Sequence, residues 1–195
     1  MADAKQNQVI RVYLWDLGVK ARDSDERIVR YAQDYTKEYP GAYAGNDAKI
    51  DAAMLRIARE GKPYFPHLPN LHFSLSHSGV YGACALASQQ VGLDLQMHSN
   101  RDLMKIARRF FHQDEYQFLE GDASTSFFQV WAAKESYVKY TGEGLARGFG
   151  SFCVVDKDGL LPAMGEVGFY HCEPWKGYSM CLCAKDVSAV EIVRI

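Results

Sequence analysis

Short runs of alternating, β-branched or aromatic residues recur along the chain, and each reads as a strand. The first is VIRVYLWDL (9–17). Three more follow closely: LHFSLSH (71–77), VYGACALA (80–87) and VGLDLQ (91–96), separated by short polar turns. Their closeness predicts a small antiparallel meander. Strands are also expected at SFCVV (151–155), EVGFYHC (166–172), YSMCLCA (178–184) and AVEIVR (189–194). Between them lie helical stripes. Ser24 caps a helix with Ile28, Tyr31, Ala32, Tyr35 and Tyr39 on one face, ended by Pro40-Gly41. Asn46 caps a second, carrying Ile50, Ala53, Met54, Ile57 and Ala58 and stopped by Gly61. Asn100 caps a third, with Leu103, Ile106, Ala107 and Phe110. A longer helix runs from about Ser124 to Tyr140 and ends at Gly142. Helices and strands, then helices and strands again, predict an α+β chain of two similar halves joined near 97–100.

Composition narrows the class. Of 195 residues, 48% are apolar and the net charge is −2, which predicts a globular chain and argues against a general nucleic-acid binder. No apolar run approaches a membrane span, and the opening MADAKQNQ lacks the apolar middle of a signal peptide. The five cysteines lack zinc-ligand spacing. Cys84, Cys181 and Cys183 sit in apolar strand runs and read as buried, reduced thiols of a cytoplasmic protein.

Two carboxylates are awkwardly placed. Asp94 shares a strand face with Gly92 and Gln96 inside an apolar run. Glu135 falls on the helix face of Phe128, Trp131, Ala132, Val138 and Lys139. A buried charge needs a partner. Lys139, one turn on, is a candidate for Glu135, and an ordinary solvated Glu135–Lys139 pair explains that spacing equally well. LSHSG (75–79) adds Ser76 and His77 at a strand end, and Lys62 precedes them in the proline-punctuated loop KPYFPHLPN. Two carboxylates with Lys, Ser and His are the donor types of a magnesium–phosphate site. Other chemistries fit worse. There is no GxSxG elbow and no GxxxxGK[ST] loop. GEGLARG (142–148) follows a helix, so it reads as a terminator and turn rather than a dinucleotide fingerprint.

FSLSHS (73–78), VGLDLQ (91–96), RRFFHQDEY (108–116) and WAAKESYVKYTGEGL (131–145) resemble, in order, the motifs of the surfactin-type 4′-phosphopantetheinyl transferases, and Lys62-Pro63 matches a preceding KP element. The resemblance is close over about residues 60–155 and looser beyond. It implies two similar α+β lobes related by a pseudo-two-fold axis, with the active site in the cleft between them. An N-terminal lobe, short for the family, would cover 1–97 and a C-terminal lobe 98–195. It implies transfer of the phosphopantetheine arm of coenzyme A to a serine of a carrier protein, with magnesium as cofactor. Asp94 and Glu135 would be the metal ligands and Lys139 would sit on a phosphate, with Lys134 nearby. Lys62, Ser76 and His77 would hold the nucleotide end, and Glu115 would help deprotonate the serine. An acidic carrier surface would dock on Arg101, Lys105 and Arg108 beside Met104. A monomer with no nucleic-acid or membrane partner is expected.

Two departures follow. The family's further acid, two positions after the aspartate, is Gln96 here, which leaves an amide or a water at that place and predicts weaker magnesium affinity. The segment before Lys62 lacks the family's early basic residues, and Lys49 and Arg56 are the stand-ins the sequence offers. The competing readings are a coenzyme A pyrophosphate hydrolase and a coenzyme A- or carrier-binding protein that has lost catalysis at Gln96.

Overall fold

A computed structural model describes residues 9–18, 24–40, 43, 50–58, 61–99, 102–120, 123–143 and 148–195. In chain order its elements are β1 (Ile10–Asp16), α1 (Ser24–Glu38), β2 (Arg56–Ile57), β3 (Pro63–Tyr64), β4 (His72–Ser78), β5 (Tyr81–Ala87) and β6 (Val91–Met97). Then come α2 (Leu103–Phe110), α3 (Gln113–Leu119), α4 (Ala123–Thr141), β7 (Val155–Asp156), β8 (Gly159–Leu160), β9 (Ala163–Met164), β10 (Val167–Cys172), β11 (Tyr178–Ala184) and β12 (Val190–Arg194). The fold is α+β, as the order of patterns predicts.

Two four-stranded sheets carry the architecture, in the orders β12-β1-β5-β4 and β6-β11-β10-β9. Alternation along the strands decides what each face touches. Ile10, Val12 and Leu14 of β1 meet Ala83, Ala85 and Ala87 of β5. They pack against Val91, Leu93 and Leu95 of β6 and Met180 and Leu182 of β11, so the sheets stack face to face. The outer face of the first sheet, with Tyr13, Trp15, Phe73, Cys84 and Leu86, is covered by Ile28, Tyr31, Ala32 and Tyr35 of α1. The outer face of the second, with Cys181, Cys183 and Phe169, is covered by Val130, Ala133 and Val138 of α4 and by residues of α2 and α3. The layers run helix, sheet, sheet, helix.

The expected meander is corrected at its third strand. β4 and β5 form the antiparallel hairpin, but β6 pairs with β11, because both edges of β5 are already taken by β1 and β4. β6 lies beside β4 through serine side chains instead. Ser74, Ser76 and Ser78 accept the backbone N–H groups of Leu93, Leu95 and Met97 at 3.0, 3.0 and 2.9 Å. By pairing, β6 therefore goes with the C-terminal strands, while β12 returns to lie parallel to β1.

Local expectations fail in three further places. Within the described part of the helix expected from Asn46 to Gly61 there is a single 3-10 turn, Ala52–Met54, after which Leu55 is extended (φ −67°, ψ 136°) and Arg56–Ile57 pairs with Pro63–Tyr64. Asn46 and Asn100 lie outside the described residues. The third helix starts at Leu103, where the Asp102 side chain accepts the Lys105 N–H. In place of a strand at 151–155 there is a 3-10 turn, Phe149–Ser151, and a two-residue strand.

Candidate active site

Gly92, Asp94 and Gln96 share the face of β6 that meets α4. Gly92 lets the helix close in: a Cβ there would stand 1.9 Å from the Ser136 carbonyl oxygen and 2.6 Å from the Tyr140 nitrogen. With the helix so near, Lys139 reaches across, and its Nζ donates to Asp94 Oδ1 at 2.7 Å and to the Leu93 carbonyl at 3.0 Å. Asp94 is 2% exposed. The Ser76 hydroxyl donates to the same Oδ1 at 2.8 Å, and the Gln96 amide donates to Oδ2 at 2.8 Å. A carboxylate only accepts, so Gln96 must turn its NH2 towards it. All three partners hold Asp94 in one orientation, and Lys139 keeps about a third of its side chain open.

Glu135 sits on the next turn of α4. It forms no hydrogen bond or ion pair with a described residue, so the expected Glu135–Lys139 pair is replaced by Lys139–Asp94. Burial, and then the charge of Asp94, push the Glu135 carboxyl above its usual range, and Lys139 acts the other way. A half-buried, unpartnered carboxylate facing a second carboxylate fits a hard divalent cation, which takes one or two such oxygens and fills its remaining positions with water or phosphate oxygens.

Glu135 also stands where two clefts meet. One, of about 260 Å³, is lined by Lys62, Pro63, Phe73, Leu75 and Lys139; the other, of about 440 Å³, by Gln96, Leu103, Ile106, Phe127, Phe128 and Trp131. Lys62 faces the first and a neighbouring hollow of about 550 Å³. Its Nζ donates to the carbonyls of Val91 and Lys139, both at 3.1 Å, which ties the loop to the end of α4. Burial lowers its pKa.

Four expected site residues are placed differently. Glu115 and Lys134 have wholly buried side chains and form an ion pair at 2.6 Å in the C-terminal core, away from the clefts. Neither presents an atom to a substrate, which corrects the roles of Glu115 as a base and Lys134 as a coenzyme A contact. Burial pushes the Lys134 ammonium down, and the Glu115 charge opposes this. The Ser76 hydroxyl is spent between Leu95 N and Asp94, so it orients the aspartate rather than holding a nucleotide. His77 is exposed at the end of β4 and lines none of the three clefts. Arg56 bonds to the carbonyls of Ala53 and Leu55 in its own turn. Lys49 and Arg101 lie outside the described residues. Met104 is half-buried on α2, with Lys105 and Arg108 exposed beside it. The sequence reading missed Gly92 and the aromatic wall of Phe127, Phe128 and Trp131. A glycine inside a strand signals close backbone approach, so Gly92 was open to detection.

An α+β chain with two carboxylates and a lysine converging between a sheet face and a long helix, open to a lysine-lined cleft, offers the donor types that suit a divalent cation and phosphate oxygens. The chain belongs to the 4'-phosphopantetheinyl transferase superfamily, whose family model matches residues 90–183. It is 36% identical to 4'-phosphopantetheinyl transferase Sfp of Bacillus subtilis (strain 168) over 150 residues, which are 70% of this chain and 66% of that one. It is 35% identical to 4'-phosphopantetheinyl transferase gsp of Aneurinibacillus migulanus over 152 residues, 73% of this chain and 62% of that one. With L-aminoadipate-semialdehyde dehydrogenase-phosphopantetheinyl transferase of Saccharomyces cerevisiae, identity is 29% over 142 residues, 67% of this chain and 47% of that one. The chain thus spans less than two thirds of the length of these curated relatives. Asp94, Glu135 and Lys139 all lie inside the family match.

Proposed function

We propose that the chain transfers the 4′-phosphopantetheine arm of coenzyme A to a serine hydroxyl of an acyl or peptidyl carrier protein, releasing adenosine 3′,5′-bisphosphate. The observation that carries this reading is the convergence of Asp94, Glu135 and Lys139 within the segment that matches the family. Asp94 and Glu135 would hold magnesium, which, when bound, neutralises charge on the pyrophosphate. Lys139 spans the step from protein to substrate: one side of its ammonium is fixed by Asp94 and Leu93 O, and its open side offers a proton donor to a phosphate oxygen. Lys62 adds a second cation where the 260 Å³ and 550 Å³ hollows adjoin, on the side suited to the nucleotide end. On the opposite side of Glu135 the aromatic wall of the 440 Å³ cleft offers apolar surface where the arm and the incoming serine would meet. Glu115 takes no proton from the substrate in this arrangement.

On α2, which lines this cleft through Leu103 and Ile106, Lys105 and Arg108 are exposed beside Met104, which supports docking of an acidic carrier helix there. Charge reversal of both basic residues should raise the carrier KM and leave the coenzyme A KM unchanged. The five unpaired cysteines support a reducing, cytoplasmic setting, and no helix among the described residues is long and apolar enough to cross a membrane. A monomer of two lobes that exchange strands, β6 joining the C-terminal sheet and β12 the N-terminal one, completes the proposal.

The test is to mix the protein with coenzyme A, magnesium and an apo carrier and follow the carrier by mass spectrometry. Gain of the phosphopantetheine mass supports the transferase, and Asp94→Ala should nearly abolish it. Cleavage of coenzyme A without a carrier marks a hydrolase, and binding without turnover a protein that has lost catalysis; either result refutes the proposal.

A further inference from the structure

Lys134 and Glu135 are neighbours on α4 with opposite surroundings. Lys134 points into the core of the C-terminal half and Glu135 into the clefts. Adjacent helical side chains diverge by about 100° around the axis, so fixing one sets the direction of the other. Lys134 is fixed from several sides. Its Nζ donates to Glu115 Oε1 and to the Phe152 carbonyl, both at 2.6 Å, and lies 4.1 Å from the centre of the Phe152 ring. Glu115 in turn accepts the Val154 N–H on Oε1 at 2.8 Å and the His112 N–H on Oε2 at 2.9 Å. The pair thus ties α4 to the start of α3 and to the segment before β7. On the opposite side, Gly92 sets how close the same helix lies to β6.

We infer that Glu115 and Lys134 are positioning residues that set the roll of α4 about its axis, so that Glu135 and Lys139 face Asp94. Both side chains are fully buried, so their influence on the reaction passes through α4 and not through contact with substrate. Charged groups buried without solvent accept few alternative geometries, which suits a pair that fixes orientation. The inference rests on the site proposed above and assigns to two of its neighbours a role distinct from chemistry.

The experiment compares the parent chain with Glu115→Gln, with Lys134→Met and with the apolar pair Glu115→Leu/Lys134→Met. Each is measured for kcat, for KM towards coenzyme A, for melting temperature and for Mn2+ binding by calorimetry. Either single change leaves a buried group unmatched and lets the helix roll. It should lower kcat by roughly 10- to 100-fold, with KM for coenzyme A within about threefold, and weaken Mn2+ binding. The apolar pair removes the charge mismatch but leaves the His112 and Val154 N–H groups and the Phe152 carbonyl without their partners, so it should recover only part of the lost kcat and Mn2+ affinity. A folded Glu115→Gln that loses kcat but binds Mn2+ as the parent does overturns the inference, because the carboxylate itself would then be needed in the chemistry. Unchanged kcat in Glu115→Gln overturns it too. Should the apolar pair fail to fold, the Mn2+ isotherm decides: parental affinity in folded Glu115→Gln refutes positioning, and weakened affinity supports it. A parent chain that binds Mn2+ but transfers nothing refutes the transferase reading instead and leaves this inference to the isotherm.

Discussion

Gly92→Ala is the sharpest perturbation the site allows, because it adds one methyl group and removes no functional atom. The new Cβ would lie 1.9 Å from the Ser136 oxygen and 2.6 Å from the Tyr140 nitrogen, both backbone atoms that no rotamer change can move. Reaching ordinary contact needs a lift of α4 by roughly 1.5 Å. The helix has little room to rise, since Val130, Ala133 and Val138 are packed in the core with Phe149 and Phe152. Overpacking a tight core typically costs 1–3 kcal/mol, and a clash with two backbone atoms of one helix puts this one near the top, at about 3 kcal/mol. In a chain of this size that lowers the melting temperature by roughly 6–12 °C. The same lift carries Lys139 away from Asp94, whose bond is now 2.7 Å, and a shift of about 1 Å at a reacting constellation costs on the order of 100-fold in turnover. Thermal unfolding and the carrier-modification assay, run on one preparation, read both effects. A variant that melts with the parent and turns over at the parental rate would refute the close-packing argument.

Three further outcomes follow from the site. Burial and Asp94 raise the Glu135 pKa, so the folded chain holds a proton that the unfolded chain has already released. Stability therefore falls as pH rises from the ordinary glutamate value through the raised one. Glu135→Gln should melt higher than the parent at about pH 8 without divalent cation, converge with it near about pH 4 and lose transfer; a melting difference independent of pH would contradict this. Ser76→Ala and Ser74→Ala each strand one buried backbone N–H and should each cost about 1–3 kcal/mol in denaturant unfolding, but only Ser76→Ala also frees Asp94 and should lower kcat. Gln96→Glu sets a like charge beside Asp94. It should lower the melting temperature of the metal-free chain, preserve transfer and reduce the magnesium concentration needed for half-maximal rate, as a magnesium titration of both forms would show.

What the sequence discloses here follows the range of the interaction. β11 occupies the 178–184 run that the alternation predicts, and α4 ends at Gly142, whose φ of 75° suits glycine. Both signals are local. Partner choice is not local: nothing in VGLDLQ says that its hydrogen bonds go to residues 178–184 rather than to its neighbour in sequence. The apolar spacing from Ile50 to Ala58 imitates a helical stripe, yet Ile57 is 65% exposed and belongs to a two-residue strand. At the site, the motif resemblance groups Asp94, Glu135 and Lys139, which the structure also brings near one another, but treats Glu115 and Lys134 as if they shared their exposure. The helical period already set Lys134 apart from Glu135, and using it would have separated the core lysine from the cleft carboxylate.

The return of β12 to β1 ties the timing of folding to a pairing between strands far apart in sequence. Ile10 pairs with Val190 and Leu14 with Arg194, so β1 finds one of its two neighbours only after all the strands and helices between them have emerged. Until then β1 has an open edge carrying Ile10, Val12 and Leu14, residues that bury themselves completely in the finished molecule. An unpaired strand with that apolar content is a template for association between nascent chains. A stop codon in the turn before Val190 would therefore leave every cleft residue intact and still yield a sticky, incompletely closed product. Control over misassembly thus lies with five residues that touch none of the chemistry.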